Sequence, residues 1–436
     1  MTARSDWQIG YAECDITPRP NESYMVGYGK ERYCRGTLEP LQAQALAIRD
    51  RRGKTALLLA ADVIGFDPTT VARLRRQLWL THRLRPEAVM FCPSHTHWGP
   101  AMTFHFSPTV GTLNAWYVNK FEAALLALAD QALAGLAAGA IGYTSLQTRI
   151  GHCRRTVVAP GKVLWKPDPA GSYDEHTPVL YFTRAQAPRT IVLVGHACHP
   201  TSSGDLMQKW SPDYVGELRK VIRRNLGDET RALFVMGCGG DAKTTWLDRA
   251  TGEWKYCASP ARARTAGRRL GTAVMSHLRK SRPAALSGPM RMGIVTGALS
   301  MAKPLSRAAL EKLAYEGKPS GNNWWARMSL MNPDRRRHLD YHVQVWRFGD
   351  QLTLLGLEGE VCSPLGPLAR ALCATPHAMA VAYVNNACGY IPSRRIVEEG
   401  GYEGHGAHRS YFLPAPFTRR VEKEFQKIVR RAVRAV

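Results

Sequence analysis

The chain has few of the signals that would place it in a membrane or outside the cell. No run approaches the about 18 consecutive apolar residues that a spanning helix needs, and Met1 to Gly10 has no apolar h-region, so neither membrane spanning nor secretion is expected. Cysteine is present but not organised: Cys14, Cys34, Cys92, Cys153, Cys198, Cys238, Cys257, Cys362, Cys373 and Cys388 are irregularly spaced, with no CxxC pair. This excludes a short disulfide framework and fits reduced thiols in a cytoplasm. No internal repeat and no long flexible linker appears, so residues 1–436 are expected to form one domain with large inserted loops, where sites on α/β sheets usually lie. Acidic residues are scarce, 35 against 59 Lys and Arg, for a formal charge of +24. That excess favours acidic partners. It is spread along the chain, however, as in Arg73, Arg75, Arg76, Arg83 and Arg85 or Arg335, Arg336 and Arg337, and no nucleic-acid module accompanies it, so a specific nucleic-acid partner is not expected.

What is present is a core. With 45% hydrophobic residues the chain can bury one. Apolar runs at Lys54–Val63, Ala88–Cys92, Ala187–Gly195, Arg231–Met236, Gln351–Gly356 and Ala378–Val384 read as strands, and Thr69–Leu80, Phe121–Leu136, Pro212–Arg224 and Pro260–Leu278 as helices between them. Thr418–Val436 sets Val421, Phe425, Ile428, Val429 and Ala432 on one helical face with Arg and Lys opposite, a pattern for packing on the core. The candidate breaks are the Gly/Pro/Lys loop Pro160–Tyr173 and the polar region Gly317–His338, neither of them a long flexible linker. The fold class is α/β: a mixed central β-sheet flanked by helices, with long active-site loops.

Four clusters at predicted strand ends carry chemistry. Ser94-His95-Thr96-His97-Trp98-Gly99-Pro100 offers two imidazoles at i and i+2, and a catalytic zinc site needs about three protein ligands with one position left open. Gly195-His196-Ala197-Cys198-His199-Pro200-Thr201-Ser202 adds two more. The residues alone leave His196 and His199 both open as ligands, and Cys198 reads as a small core hydrophobe. Gly237-Cys238-Gly239-Gly240-Asp241-Ala242-Lys243 lacks the Walker A spacing and reads as a tight turn whose amides could also face an oxyanion. The fourth comprises Leu357-Glu358-Gly359-Glu360 with Asn385-Asn386-Ala387-Cys388-Gly389-Tyr390-Ile391-Pro392 and Tyr402-Glu403-Gly404.

Together with Asp15-Ile16-Thr17-Pro18, Met25-Val26-Gly27-Tyr28-Gly29 and the stretch Arg35–Leu46, these blocks occur in an order that resembles the catalytic domain of the neutral/alkaline non-lysosomal ceramidase family, over roughly residues 8–410. The resemblance implies a zinc ion held by His95, His199, Glu360 and Tyr390. It implies that His97 handles protons, that Arg154 is a substrate-side arginine and that Tyr402 lines the site. His199 is preferred to His196 for its Pro-Thr-Ser context, and Asp62 is expected to orient a histidine. The sequence departs from the family in having Lys243 where a serine is usual, a donor and cation suited to an anionic group or a polarised carbonyl oxygen. It is also expected to be a short, cytoplasmic-type member, without the signal segment and the C-terminal immunoglobulin-like domain of secreted ceramidases.

The function expected from the resemblance is therefore a zinc-dependent hydrolase, an amidase acting on linear N-acyl bonds by metal-activated water, with a small-molecule substrate, anionic or lipid-like and more polar than ceramide. Arg154, Lys243 and the glycine-rich turn would stabilise charge on the carbonyl oxygen. The alternatives are hydrolysis of a glycosidic or ester bond on the same fold, and a non-catalytic basic protein that binds acidic ligands.

Overall fold

The computed structural model describes residues 6–27, 32–103, 112–159, 161–316, 320–332 and 336–436. Tyr28 and Gly29 of the glycine-tyrosine block, Pro160, Gly317 and Arg335 lie outside the described residues.

A large mixed sheet runs in the order Thr230–Met236, Thr190–His196, His176–Arg184, Ala137–Gln147, Trp7–Asp15, Gln42–Asp50, Thr55–Ala61, Val89–Pro93, with Ala284–Leu286 also paired to Ala137–Gln147. Its inner pairs are antiparallel, and the two outermost, Thr190–His196 with Thr230–Met236 and Thr55–Ala61 with Val89–Pro93, are parallel. A second sheet, Met290–Ser300, His338–Phe348, Leu352–Leu357 and His377–Val381, packs against it face to face. A third, Glu253–Tyr256, Ala242–Asp248, Gly151–Ala159 and Lys162–Asp168, stands beside the strand ends.

Strand alternation explains the layering, because successive side chains point to opposite faces. Leu58 and Leu193 of the large sheet meet Trp346, Leu354 and Met379 of the second sheet in one core. Their neighbours Leu57 and Leu59 turn outward onto Val71, Leu74 and Leu78 of the helix Pro68–His82 and onto Phe121 and Leu125 of Ala115–Ala134. On the far side Val343, Val345 and Leu355 turn onto Phe425, Ile428 and Val429 of the last helix, Val421–Arg434, whose apolar stripe is buried as its pattern predicts. The order is helix, sheet, sheet, helix. The first helix starts where the sequence says it should: the Asp67 side chain accepts the Thr69 N–H and Pro68 stands at its first position.

Three segments differ from expectation. Pro160–Tyr173, read as a loop, contains the strand Lys162–Asp168, which pairs with Gly151–Ala159; its short run Val163-Leu164-Trp165 between lysines was too brief to give a period. The polar region 317–338 contains the helix Gly321–Met331, whose Trp325 is buried against Leu310 and Ala326. The strand expected over Ala378–Val384 stops at Val381, because Tyr383 and Asn385 adopt left-handed backbone at φ 63° and 59°.

Candidate metal centre

Each loop that carries a candidate ligand leaves the carboxyl end of a strand in a parallel pair, the usual place for a site on such sheets. His95 follows Val89–Pro93, His199 follows Thr190–His196, and Glu360 follows Leu352–Leu357, which runs parallel to His377–Val381. Glu360 and Tyr390 are then register partners in a short parallel pair, Glu360–Val361 with Tyr390–Ile391, so their side chains emerge side by side. Gly359 precedes this pair at φ 72°, where a Cβ would lie 2.6 Å from the Gly389 carbonyl oxygen. Gly27 is needed for a different reason, since a Cβ there would stand 2.4 Å from His97 Nδ1.

The five side chains meet. Glu360 Oε2 is 3.0 Å from His199 Nε2 and 3.4 Å from His95 Nε2. His97 Nε2 is 3.4 Å from His95 Nε2, and the Tyr390 hydroxyl is 3.5 Å from His199 Nε2. Ligand atoms of His95, His97 and His199 lie within 4.8 Å of one another. Bonds of 2.0–2.1 Å meeting at tetrahedral angles put ligand atoms about 3.3 Å apart, so the separations are those a small divalent ion requires.

The hydrogen bonding tests the fit further. His95 Nδ1 lies 2.6 Å from the Ile64 carbonyl oxygen and His199 Nδ1 lies 2.8 Å from that of Gly239. A carbonyl only accepts, so both Nδ1 atoms carry a proton, which leaves each Nε2 as the atom that can present a lone pair to a metal, as in metal-bound histidines. His199 is kept neutral by burial and by the Arg154 guanidinium, which together push it down to about 4. Burial raises Glu360, and a positive charge facing it at His95 and His199 is what holds its carboxyl well below the usual range. A neutral ring nitrogen and a carboxylate oxygen 3.0 Å apart, both buried, would repel. A cation between them removes the conflict, and the donor set of imidazole nitrogens with carboxylate and phenol oxygens fits a small divalent ion.

Around this centre the charges are braced. Arg154 donates from Nε to Glu403 at 2.8 Å and from a terminal nitrogen to the Tyr390 hydroxyl at 2.8 Å. Arg155 holds the other Glu403 oxygen at 2.6 Å. Tyr411 donates to Glu360 Oε1. The turn at Gly239–Asp241 ties the loops together: Asp241, raised by burial to about 6, accepts the Ser363 N–H at 2.6 Å and its hydroxyl at 2.9 Å. Burial, followed by the neighbouring His95 and His199, pushes His97 well below its ordinary value, so it is a neutral base. Lys243 is lowered to about 8 by burial and by Arg154. Tyr402 lies at the rim, 39% exposed, with its ring 5.4 Å from Tyr390 and 5.9 Å from Trp165.

Three expectations need correction or completion. Asp62 touches no histidine; it takes a bidentate bond from Arg219 at 2.6 and 3.0 Å and accepts the Gln42 N–H. The Gly240 amide does not face an oxyanion, because it donates to the Val361 carbonyl at 2.9 Å. His196, the alternative ligand, is fully buried between Thr177 Oγ1 and the Tyr173 hydroxyl, each at 2.9 Å, and is a core histidine. Sequence reasoning missed Tyr411, Glu403 and Tyr383, whose ring lies 4.4 Å from that of His95 and whose buried hydroxyl has no hydrogen-bond partner among the described residues. Only Glu403 carried a signal, in the Tyr-Glu-Gly block.

No family model matches the sequence, and no curated protein matches it. Among solved structures the chain is similar to a neutral ceramidase from Pseudomonas aeruginosa, with a TM-score of 0.78 and 17% identity over 99% of this chain and 74% of that one. It is similar also to a ceramidase complexed with C2, at 0.77 and 17% over 99% and 75%. Among the described residues no helix is long and apolar enough to cross a membrane. The chain has the neutral ceramidase fold.

Proposed function

We propose that the chain, acting as one domain over residues 1–436, is a zinc-dependent amidase that cleaves a linear N-acyl bond in a substrate more polar than ceramide or anionic. The observation that carries this reading is the convergence of His199 Nε2 at 3.0 Å and His95 Nε2 at 3.4 Å on Glu360 Oε2 in a buried site. His95, His199, Glu360 and Tyr390 are the proposed ligands. When bound, zinc supplies a Lewis acid that polarises a carbonyl and lowers the pKa of water from 15.7 towards about 7.

The side chains do the rest. His97, neutral and 3.4 Å from His95, accepts a proton at Nε2 from the attacking water and returns it to the departing amine nitrogen. Arg154, fixed by Glu403, keeps its guanidinium on the Tyr390 hydroxyl and favours its deprotonated form, against the upward push of burial. The same guanidinium is a preorganised positive charge that would stabilise charge developing on the carbonyl oxygen. Tyr402 at the rim, against Tyr390 and Trp165, gives the substrate an aromatic wall.

The test is turnover of purified, zinc-loaded protein on simple N-acyl amines, N-acyl sphingosines and aryl glycosides. Amide hydrolysis that stops on chelation and returns with zinc is the expected result. Cleavage of glycosides without amides would replace this reading with glycosidase chemistry, and retention on heparin by metal-free, inactive protein would replace it with a binding role.

A further inference from the structure

One cation in the site makes no ion pair among the described residues. Arg154 and Arg155 share Glu403, and Arg155 also reaches Glu399 at 3.3 Å. Lys243 has no such partner: among the described residues its ammonium rests only on the ring of Tyr256, 4.8 Å from the centroid. Of the charged groups facing it, the Arg154 guanidinium weighs more than either the Asp213 or the Asp205 carboxylate. Asp213 is engaged through Oδ2 with the Ser202 amide at 3.0 Å and the Ser203 hydroxyl at 2.7 Å; its buried Oδ1 makes no hydrogen bond among the described residues, and it forms no ion pair with Lys243. A second polar atom nearby is also unsatisfied, because the Tyr256 hydroxyl is buried and makes no hydrogen bond among the described residues. Both lie beside the metal centre. His199 and Lys243 are bridge partners in a parallel pair, so their side chains leave the same face next to each other. Tyr256 pairs with Thr245, two residues along that strand, and stands on the same face.

A half-buried ammonium and a buried hydroxyl without acceptors are costly to keep. Both are satisfied at once by one carboxylate.

The geometry points to Lys243 Nζ and the Tyr256 hydroxyl as a carboxylate subsite flanking the scissile bond, which makes the substrate an amide with a carboxylate a few bonds from its carbonyl, as in an N-acyl amino acid. This rests on the amidase reading and deepens it. The carboxylate could be on the amine side or the acyl side, and the test distinguishes them.

The experiment compares zinc-loaded wild type, Lys243→Met and Tyr256→Phe on N-octanoylglycine, N-succinyl-octylamine and the neutral N-octanoylethanolamine, after checking equal zinc content and melting temperature. Wild type should favour one carboxylated amide over the neutral one in kcat/KM. Lys243→Met should cut that preference by about tenfold to a hundredfold, the range for a charged hydrogen bond, chiefly through KM. Tyr256→Phe should cut it less. An unchanged preference in Lys243→Met, or wild-type preference for the neutral amide, would overturn the subsite. If wild type hydrolyses none of the three, the amidase reading fails, and calorimetric binding of the carboxylated amides decides: weakening by Lys243→Met keeps the subsite, equal binding or none removes it.

Discussion

His196 and His199 stand three residues apart at the end of one strand, both fully buried, and they do opposite things. His196 has each ring nitrogen on a hydroxyl, Tyr173 on one side and Thr177 on the other, so nothing about it asks for a further partner. His199 has one nitrogen on a backbone carbonyl and the other against a carboxylate and a phenol. Burial and ring type are the same. The second nitrogen's neighbours separate a core histidine from a metal-ligand candidate, and that is a property of Glu360 and Tyr390, more than 150 residues downstream.

The sharpest way to break this comparison is to remove each ring in turn. His199→Ala should lower turnover of an N-acyl amine by at least about 10³-fold, the upper end for one charge-stabilising group, whereas His196→Ala should leave turnover per folded molecule within a few-fold; equal losses in steady-state assays would erase the distinction. His97→Ala extends it to a neighbour that is proposed to move protons, not to hold the ion. Its kcat should fall by about 10²–10⁴-fold with KM and zinc content kept, and loss of zinc would instead make His97 a ligand. On stability the order reverses. His196→Ala strips partners from two buried hydroxyls and should cost about 1–3 kcal/mol in chemical denaturation; a smaller cost would mean that water replaces the ring.

The gentlest probe is pH. His196 and His199 are both lowered to about 4, chiefly by burial, from 6.5. Between those values the unfolded chain binds more protons than the folded one, so stability of the metal-free protein rises with pH through this window and levels off above it. The melting temperature of metal-free protein should fall as pH drops from 6.5 towards 4, with a shallower slope in His196→Ala. A slope that His196→Ala leaves unchanged would assign the proton uptake to other groups.

Much of the site was legible because its residues sit at ends of apolar runs that read as strands. Ser94–Pro100, the Pro-Thr-Ser after His199 and Gly389-Tyr390-Ile391 are short, local and ordered. The core strands Thr55–Ala61, Val89–Pro93 and Thr230–Met236 were equally plain, being apolar on both faces. What stayed hidden depends on long-range pairing. Trp7–Asp15 and Ala137–Gln147 lie next to each other mid-sheet, yet their mixed polar and small residues give no run to read. Asp62 sits at a strand end like a helper of the site, but Arg219, on a helix about 150 residues away, takes it. Tyr411 and Tyr383 reach the centre from the end of a short 3-10 helix and through a left-handed turn, which no local pattern announces.

A single metal ion between His95, His199 and Glu360 requires a fixed metal stoichiometry. After zinc loading and exhaustive dialysis, elemental analysis should find about one zinc per chain in wild type and in His196→Ala, and almost none in His199→Ala. Zinc absent from folded wild type, or retained in full by His199→Ala, would contradict it.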